Sequence, residues 1–346
     1  MPGILTPLRD RNFALFAFAT ATSMLGDGIA LVAIAWQVYS LSDSATALGL
    51  VLTAWTLAQV PVSLIGGVAG DRMDRRRLLI ASDVARCVIF VLIGVLALTD
   101  HLSLPGFVAI GMLYGLADGI YAPVAGAIIP DIVRADALVP ANSLLGVLRP
   151  MSLRLLGPAA GGLIIAVAGT GGAFLVNAGT FAASGAALLL MRASDIRSVQ
   201  PGDPDAAAAD PEEGPVQALV RDVRESLGYV RQNPWLARSM LAATFVLIFY
   251  WGPLEVLVPY LAKHELGHGA GGLGVILACG GLGSMLASIL VGQRGLPSRP
   301  LAFMYACWIV GCAVMAAYAL ADGLVLASAV AFVTFGIMTA SWVAQA

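Results

Sequence analysis

Apolar residues come in ten long runs along this chain, separated by short polar breaks. Cut at charged residues and at Pro- or Gly-rich breaks, the runs cover 13–39, 46–69, 78–99, 106–129, 141–168, 171–191, 236–261, 271–292, 300–320 and 323–346. A helix needs about 20 apolar residues to cross a hydrocarbon core of about 30 Å. The runs are apolar all round rather than alternating, which excludes the strands of an outer-membrane barrel. The pattern predicts an all-α polytopic membrane protein. The first run is longer than a signal-peptide core and no small-residue cleavage site follows it, so it reads as a retained helix. The last run reaches Ala346 without a polar tail, which reads as a chain cut short.

One polar break is long and divides the runs six and four. Residues 1–192 read as a six-helix bundle, 193–235 as a linker, and 236–346 as a second bundle of four helices. Pro201, Pro204, Pro211 and Pro215 stand in the linker among Asp203, Asp205, Asp210, Glu212 and Glu213. That composition cannot bury a core and predicts a flexible acidic tether. Val216, Leu219, Val220, Val223, Leu227 and Val230 then fall at helical spacing, with Arg221 and Glu225 on the other face. This predicts a short amphipathic helix on the membrane surface. Two helical bundles suggest a repeated architecture with a site between the repeats.

Composition agrees with lipid as the solvent. Hydrophobic residues make up 59% and charged residues 12%, against about 25% charged in soluble domains. A soluble enzyme and a disordered chain are excluded, and a net charge of −2 offers nucleic acid no basic footprint. The basic residues are distributed unevenly. Of the 19, Lys263 lies on one side and Arg86, Arg149 and Arg154 within spans, which leaves fifteen on the side of the N-terminus. Lys and Arg collect in cytoplasmic loops, so the N-terminus is read as cytoplasmic, in a bacterial plasma (inner) membrane.

An ionisable group at the bilayer centre costs at least about 2.5–3.5 kcal/mol and normally faces a cavity or a partner. Asp27 lies mid-way in the first run, Asp118 mid-way in the fourth, and Glu255 toward the outer part of the seventh. Asp83, a turn inside the third, is expected to reach the inner interface. Arg149 and Arg154 lie in the fifth run. Five residues apart on a regular helix, they would face different directions, and the deeper Arg154 is assigned to the cavity. Asp27, Asp118, Arg154 and Glu255 are read as a proton and substrate pathway. The competing reading is a structural pair of Asp27 or Asp118 with Arg154.

Gly157-Pro158-Ala159-Ala160-Gly161-Gly162 lets helices approach closely and permits a bend. No strand precedes the glycine runs and no Walker lysine follows them, so a nucleotide site is not read. His264 and His268 are four apart without a carboxylate pattern that would make a metal site. No catalytic constellation is visible, and no cofactor or metal is expected.

The loop after the second run reads Gly67-Val68-Ala69-Gly70-Asp71-Arg72-Met73-Asp74-Arg75-Arg76-Arg77. It resembles the signature loop of the major facilitator superfamily: a glycine, three residues, Asp-Arg, two residues and an arginine pair. Asp74 stands where that signature commonly has glycine. Leu25-Gly26-Asp27, Pro130-Asp131-Ile132-Val133, Ala141-Asn142-Ser143, Arg154-Leu155-Leu156-Gly157-Pro158 and Gly228-Tyr229-Val230-Arg231-Gln232-Asn233-Pro234 are similar to the branch holding the enterobactin exporter and macrolide-efflux carriers.

The resemblance implies a twelve-helix fold of two bundles working by alternating access, of which this chain holds about ten helices. It implies an inner gate at Gly67, Asp71, Arg72, Arg75 and Arg76, with Asp71 near a helix N-terminus on a basic partner and Arg72 and Arg75 on carboxylates of the other bundle. The fourth run lacks the arginine that many proton-driven drug antiporters carry there. The function expected is proton-coupled export of small amphipathic molecules, drugs or siderophore-like metabolites. The expected partners are a small-molecule substrate, protons and membrane lipid, with the chain a monomer that binds no nucleic acid. The competing expectation, motivated by the end at Ala346, is a non-transporting truncated remnant or a sensor-like membrane interaction protein.

Overall fold

The computed structural model describes residues 5–134, 137–192, 221, 224, 228–294 and 299–343. Among these, the regular elements are helices. They are α1 (Arg11–Leu41), α2 (Ala45–Arg72), α3 (Arg75–Leu98), α4 (Leu104–Ala127) and the single turn α5 (Ile129–Ile132). Next, α6 (Leu138–Pro150) continues through a π-helical turn, Met151–Leu156, into α7 (Gly157–Leu189). Then α8 (Pro234–Val246) runs through a second π-helical turn, Leu247–Trp251, into α9 (Gly252–Tyr260) and a third, Leu261–Glu265. The last are α10 (Ala270–Arg294), α11 (Pro300–Met315) and α12 (Leu324–Val343). The predicted linker lies outside the described residues, apart from Arg221, Arg224 and 228–235, all helical except Asn233.

Nine of the described helical stretches are long and apolar enough to cross a bilayer, and one of them, Leu138–Leu189, has 52 residues. At 1.5 Å per residue a straight helix of that length would reach about 80 Å, far more than a hydrocarbon core. It turns back instead at Gly169, where φ is 69°, and supplies two spans. Each of the ten apolar runs therefore has its helix, with ends shifted by a few residues. The protein is an integral membrane protein.

Local chemistry sets the ends. The Asp10 carboxylate accepts from the amides of Asn12 and Phe13 and starts α1. Asp74 accepts from the Arg77 amide at 3.1 Å and starts α3. The residue that departs from the signature glycine is thus a helix N-cap. At the opposite membrane face, the first four hairpins each contain one left-handed residue: Asp43 (φ 49°), Asp100 (φ 56°), Gly169 and Gly267 (φ 61°). That conformation ends a helix and reverses the chain.

In the first six spans α1 and α3 pack on α7, and α2 packs on α4. In the last four, α10 packs on α12 and also crosses to α7. Small residues make that crossing close. A Cβ on Gly162 would stand 2.9 Å from the Ala270 carbonyl, and one on Gly274 would stand 2.7 Å from the Pro158 carbonyl. Within the first six spans, Gly157 meets Gly28, and Gly161 meets Ile29. Neither pair of helices could approach as closely with a larger side chain at these glycines.

Candidate functional site

Two groups of buried charge lie in the membrane interior. The first sits within the first six spans and is centred on Arg86 of α3, whose side chain is 1% exposed. Its guanidinium bonds Asp83, one turn earlier on the same helix face, at 2.5 Å, and Asp118 of α4 at 3.3 Å. The rings of Tyr121 and Phe181 cover it at 4.1 and 4.4 Å. Ser184 of α7 donates to the second Asp83 oxygen at 2.6 Å, and Gln59 of α2 donates to Asp118 at 2.7 Å. Asp27 of α1 accepts from the Tyr114 hydroxyl at 3.0 Å, and Tyr114 stands one turn before Asp118 on α4. Five helices thus bring three carboxylates around one guanidinium.

The second group lies where the first six spans meet the last four. Arg154, in the π-helical turn after Pro150, stacks on Trp251 at 4.4 Å and lies 5.4 Å from the centre of the Phe335 ring. Pro150 has no amide to give the helix ladder, and the ladder widens there. Gly281 of α10 backs the Arg154 carbonyl. Arg154 lines a cavity of about 230 Å³ together with Arg149, Tyr250, Trp251, Ser284, Phe335 and Thr339. On its other side Arg154 shares a space of about 40 Å³ with Glu255, Leu31, Leu48 and Leu277.

At the face opposite the N-terminus, the two sets of spans are tied together. Lys263 donates to Asp43 at 2.6 Å and to the Tyr39 carbonyl at 2.9 Å. The Tyr39 hydroxyl donates to the Val256 carbonyl at 2.9 Å. His264 Nε2 stands 3.0 Å from the same Asp43 oxygen, and its ring packs on Tyr39 and Tyr260. The hydrogen bond from Lys263 holds the Asp43 carboxyl below the usual carboxylate range.

At the other face, Arg75 binds Asp131 at 2.7 Å and the carbonyls of Gly70 and Ala127 at 2.9 and 2.8 Å. Burial raises the Asp131 carboxyl, and the Arg75 hydrogen bond opposes it. Arg76 donates to the last carbonyls of α7, at Leu188 and Leu189. The backbone of Asp71 and Arg72 ends α2, and their side chains lie outside the described residues.

Several placements differ from the sequence reading. Asp83 does not reach the interface. It is fully buried, because Arg86 and Ser184 hold both its oxygens. The guanidinium beside Asp118 belongs to Arg86 rather than Arg154, which sits at the seam instead. Arg149 and Arg154 face one cavity rather than two directions, because the π-helical turn between them takes more residues per turn. Arg75 meets Asp131, a carboxylate of its own six spans, because α5 folds Asp131 back beside the start of α3.

The sequence reading missed Arg86, Tyr114, Asp43 and Lys263. Asp83-x-x-Arg86 within an apolar run was a usable signal, since residues three apart share a helix face. The contacts of Asp43 and Tyr39 span more than 200 residues of sequence, and no local pattern announces them.

The fold and part of the sequence are shared with known proteins. A solved bacterial homolog of the human lysosomal transporter Spinster, in an inward-facing and occupied conformation, superposes with a TM-score of 0.68 at 15% identity, over 98% of this chain and 74% of that one. A D-xylose–proton symporter gives 0.64 at 16%, over 96% and 81%. At such identities the likeness concerns the fold alone. In sequence, the multidrug efflux pump Tap of Mycolicibacterium fortuitum is 28% identical over 74% of this chain and 61% of its own length. The enterobactin exporter EntS of Shigella flexneri is 25% identical over 83% of this chain and 64% of its own. The chain thus spans somewhat under two thirds of the length of these two relatives. The profile of the Major Facilitator Superfamily matches residues 16–346, and the chain belongs to that superfamily of membrane transporters.

Proposed function

We propose that the chain is a proton-coupled exporter of small amphipathic molecules, working by alternating access as a monomer in the bacterial inner membrane with its N-terminus cytoplasmic. It is a carrier, not an enzyme. The observation that carries this reading is the cluster of Asp27, Asp83 and Asp118 around Arg86. Ionisable groups are expensive at this depth, and three carboxylates outnumber one guanidinium. The excess is two negative charges, and protons are the smallest cations that can reduce it. Asp83 is held by Arg86 and Ser184, so Asp27 and Asp118 are the acids that load and release them. A proton arriving at Asp118 weakens that residue's attraction for Arg86, and the shift biases how α1, α3 and α4 pack. A ligand that favours one packing shifts the population toward it.

The two membrane faces fit the same cycle. The tie between Asp43, Tyr39 and Lys263 closes the outer side, which is the inward-facing state. The loop with Gly67, Asp71, Arg72, Arg75 and Arg76 forms the inner gate. The close glycines at Gly157, Gly161 and Gly162, beside Pro158, form the surface on which the fifth span rocks against its neighbours. The names of the two relatives, an efflux pump and an exporter, support the direction of transport.

The test is substrate-evoked proton movement in reconstituted vesicles carrying a pH-sensitive dye. Asp27→Asn and Asp118→Asn should each lower it at least about tenfold, as loss of a group that holds the transferred proton does, with folding intact by size-exclusion chromatography. Full coupling in both variants would remove the cluster from the mechanism.

A further inference from the structure

We infer that the cavity beside Arg154 is a receptor for an aromatic organic anion, with the guanidinium taking the carboxylate or phenolate of the ligand. The inference rests on the transporter reading above and names the substrate class of its cavity.

Arg154 forms no hydrogen bond or ion pair among the described residues. Its neighbours at the guanidinium are the faces of Trp251 and Phe335. A ring face attracts a cation but accepts none of its five N–H donors in the planar fork that suits a carboxylate. Arg154 is part-buried, and Glu255 acts on it through space without a direct contact, so the donors of the guanidinium stand open toward the cavity. A ligand that takes them in pairs carries a negatively charged fork.

A second group in the cavity wall is also left over. Tyr250 is 0% exposed, lines the same cavity, and its hydroxyl has no hydrogen-bond partner. Buried hydroxyls are normally satisfied, so this one marks a second place for a polar ligand atom. Arg149, exposed on the cavity wall, adds positive charge, and no carboxylate is among the lining residues.

The rest of the wall selects the body of the ligand. Tyr250, Trp251 and Phe335 give the wall an aromatic lining. The volume of about 230 Å³ exceeds the roughly 150 Å³ of an apolar cavity that takes benzene, so one or two fused rings with an acidic substituent fit. Glu255 lies on the far side of Arg154, where the space of about 40 Å³ is too small for such a ligand.

The experiment is calorimetric binding to the full chain in lipid nanodiscs, with three probes of similar size: 2-naphthoate, the neutral 2-naphthamide and the cation 1-methylquinolinium. The acid should bind at least about tenfold tighter than the amide, the step expected of one charge-assisted bidentate pair, and the cation should bind weakest. Arg154→Gln should bring the acid down to the level of the amide, and Arg154→Lys should keep part of the difference. Equal binding of acid and amide by the unaltered protein, or tighter binding of the cation, would overturn the inference without depending on how any variant folds. Binding is read here without transport. Failed proton coupling would therefore leave this result standing, and failed anion preference would leave proton coupling untouched.

Discussion

Arg86 and Arg154 are both guanidiniums withdrawn into the membrane interior, and both stack on two aromatic rings. They differ in what completes the shell. Arg86 has two carboxylates within 3.3 Å, one supplied by its own helix. Arg154 has rings and no carboxylate in contact. The difference follows where each sits. Arg86 lies inside the first six spans, on helices that pack together throughout, so a permanent pair costs no freedom. Arg154 lies at the seam, where α7 meets elements of the last four spans. A permanent pair there would weld together surfaces that the proposed alternating access would have to separate. A charge left open at the seam leaves room for a ligand to complete it.

Breaking Arg86 should have the largest effect. Arg86→Met leaves Asp83 buried without its counter-ion, and removing one partner of a buried pair costs about 3–5 kcal/mol. The thermal unfolding midpoint of the purified protein should fall steeply. Replacing both partners, Arg86→Met with Asp83→Leu, should recover part of the loss, because an apolar pair leaves no stranded charge. Arg154→Met should lower the midpoint less, since the nearest carboxylate it leaves behind, Glu255, is exposed and not bonded to the guanidinium. If both single variants lower the midpoint equally, the two arginines are not different in kind.

A smaller effect should come from the backing of Arg154. Gly281 lies directly against its carbonyl, and a side chain there must displace the π-helical turn. Gly281→Leu should lower stability by roughly 1–3 kcal/mol, as overpacking does, and abolish binding of 2-naphthoate. Proton binding by the Arg86 cluster should persist. Loss of both properties together would mean that the two groups form one unit.

The comparison also shows how far the sequence could be read. The spans were legible because lipid demands length and apolarity, and both are local. Asp74 as a cap was legible in principle from the turn that follows it. The pairing of Asp83 with Arg86 was written three residues apart and overlooked because Asp83 stands near a span end. The placement of Arg149 was not legible. Pro150 signals a break in the ladder, but whether a helix kinks or widens there depends on what packs beside it, here the glycines of α10. The tie between Asp43 and Lys263 joins residues whose proximity is a property of the whole fold.

That tie supplies the smallest expected effect and a third case for the comparison. Its cation and carboxylate are paired like Arg86 and Asp83, but the Asp43 side chain is 68% exposed. Salt screens such a pair, and exposed pairs contribute little. Asp43→Asn should leave unfolding unchanged and only widen the distance between spin labels at the opposite-face ends of α1 and the Leu261–Glu265 turn, less so as salt is raised. The pH dependence has a definite sign. Lys263 depresses the Asp43 carboxyl in the tied state, so the contribution is fully present above the ordinary aspartate value, about 3.9, and is lost as pH falls through the depressed value. Between pH 5 and 8 the ionisation of Asp43 should therefore not move the labels. A change in that range that Asp43→Asn abolishes and that persists in His264→Gln would show that the carboxylate itself, rather than its pair with His264, drives the movement, and that the tie is not governed by solvent.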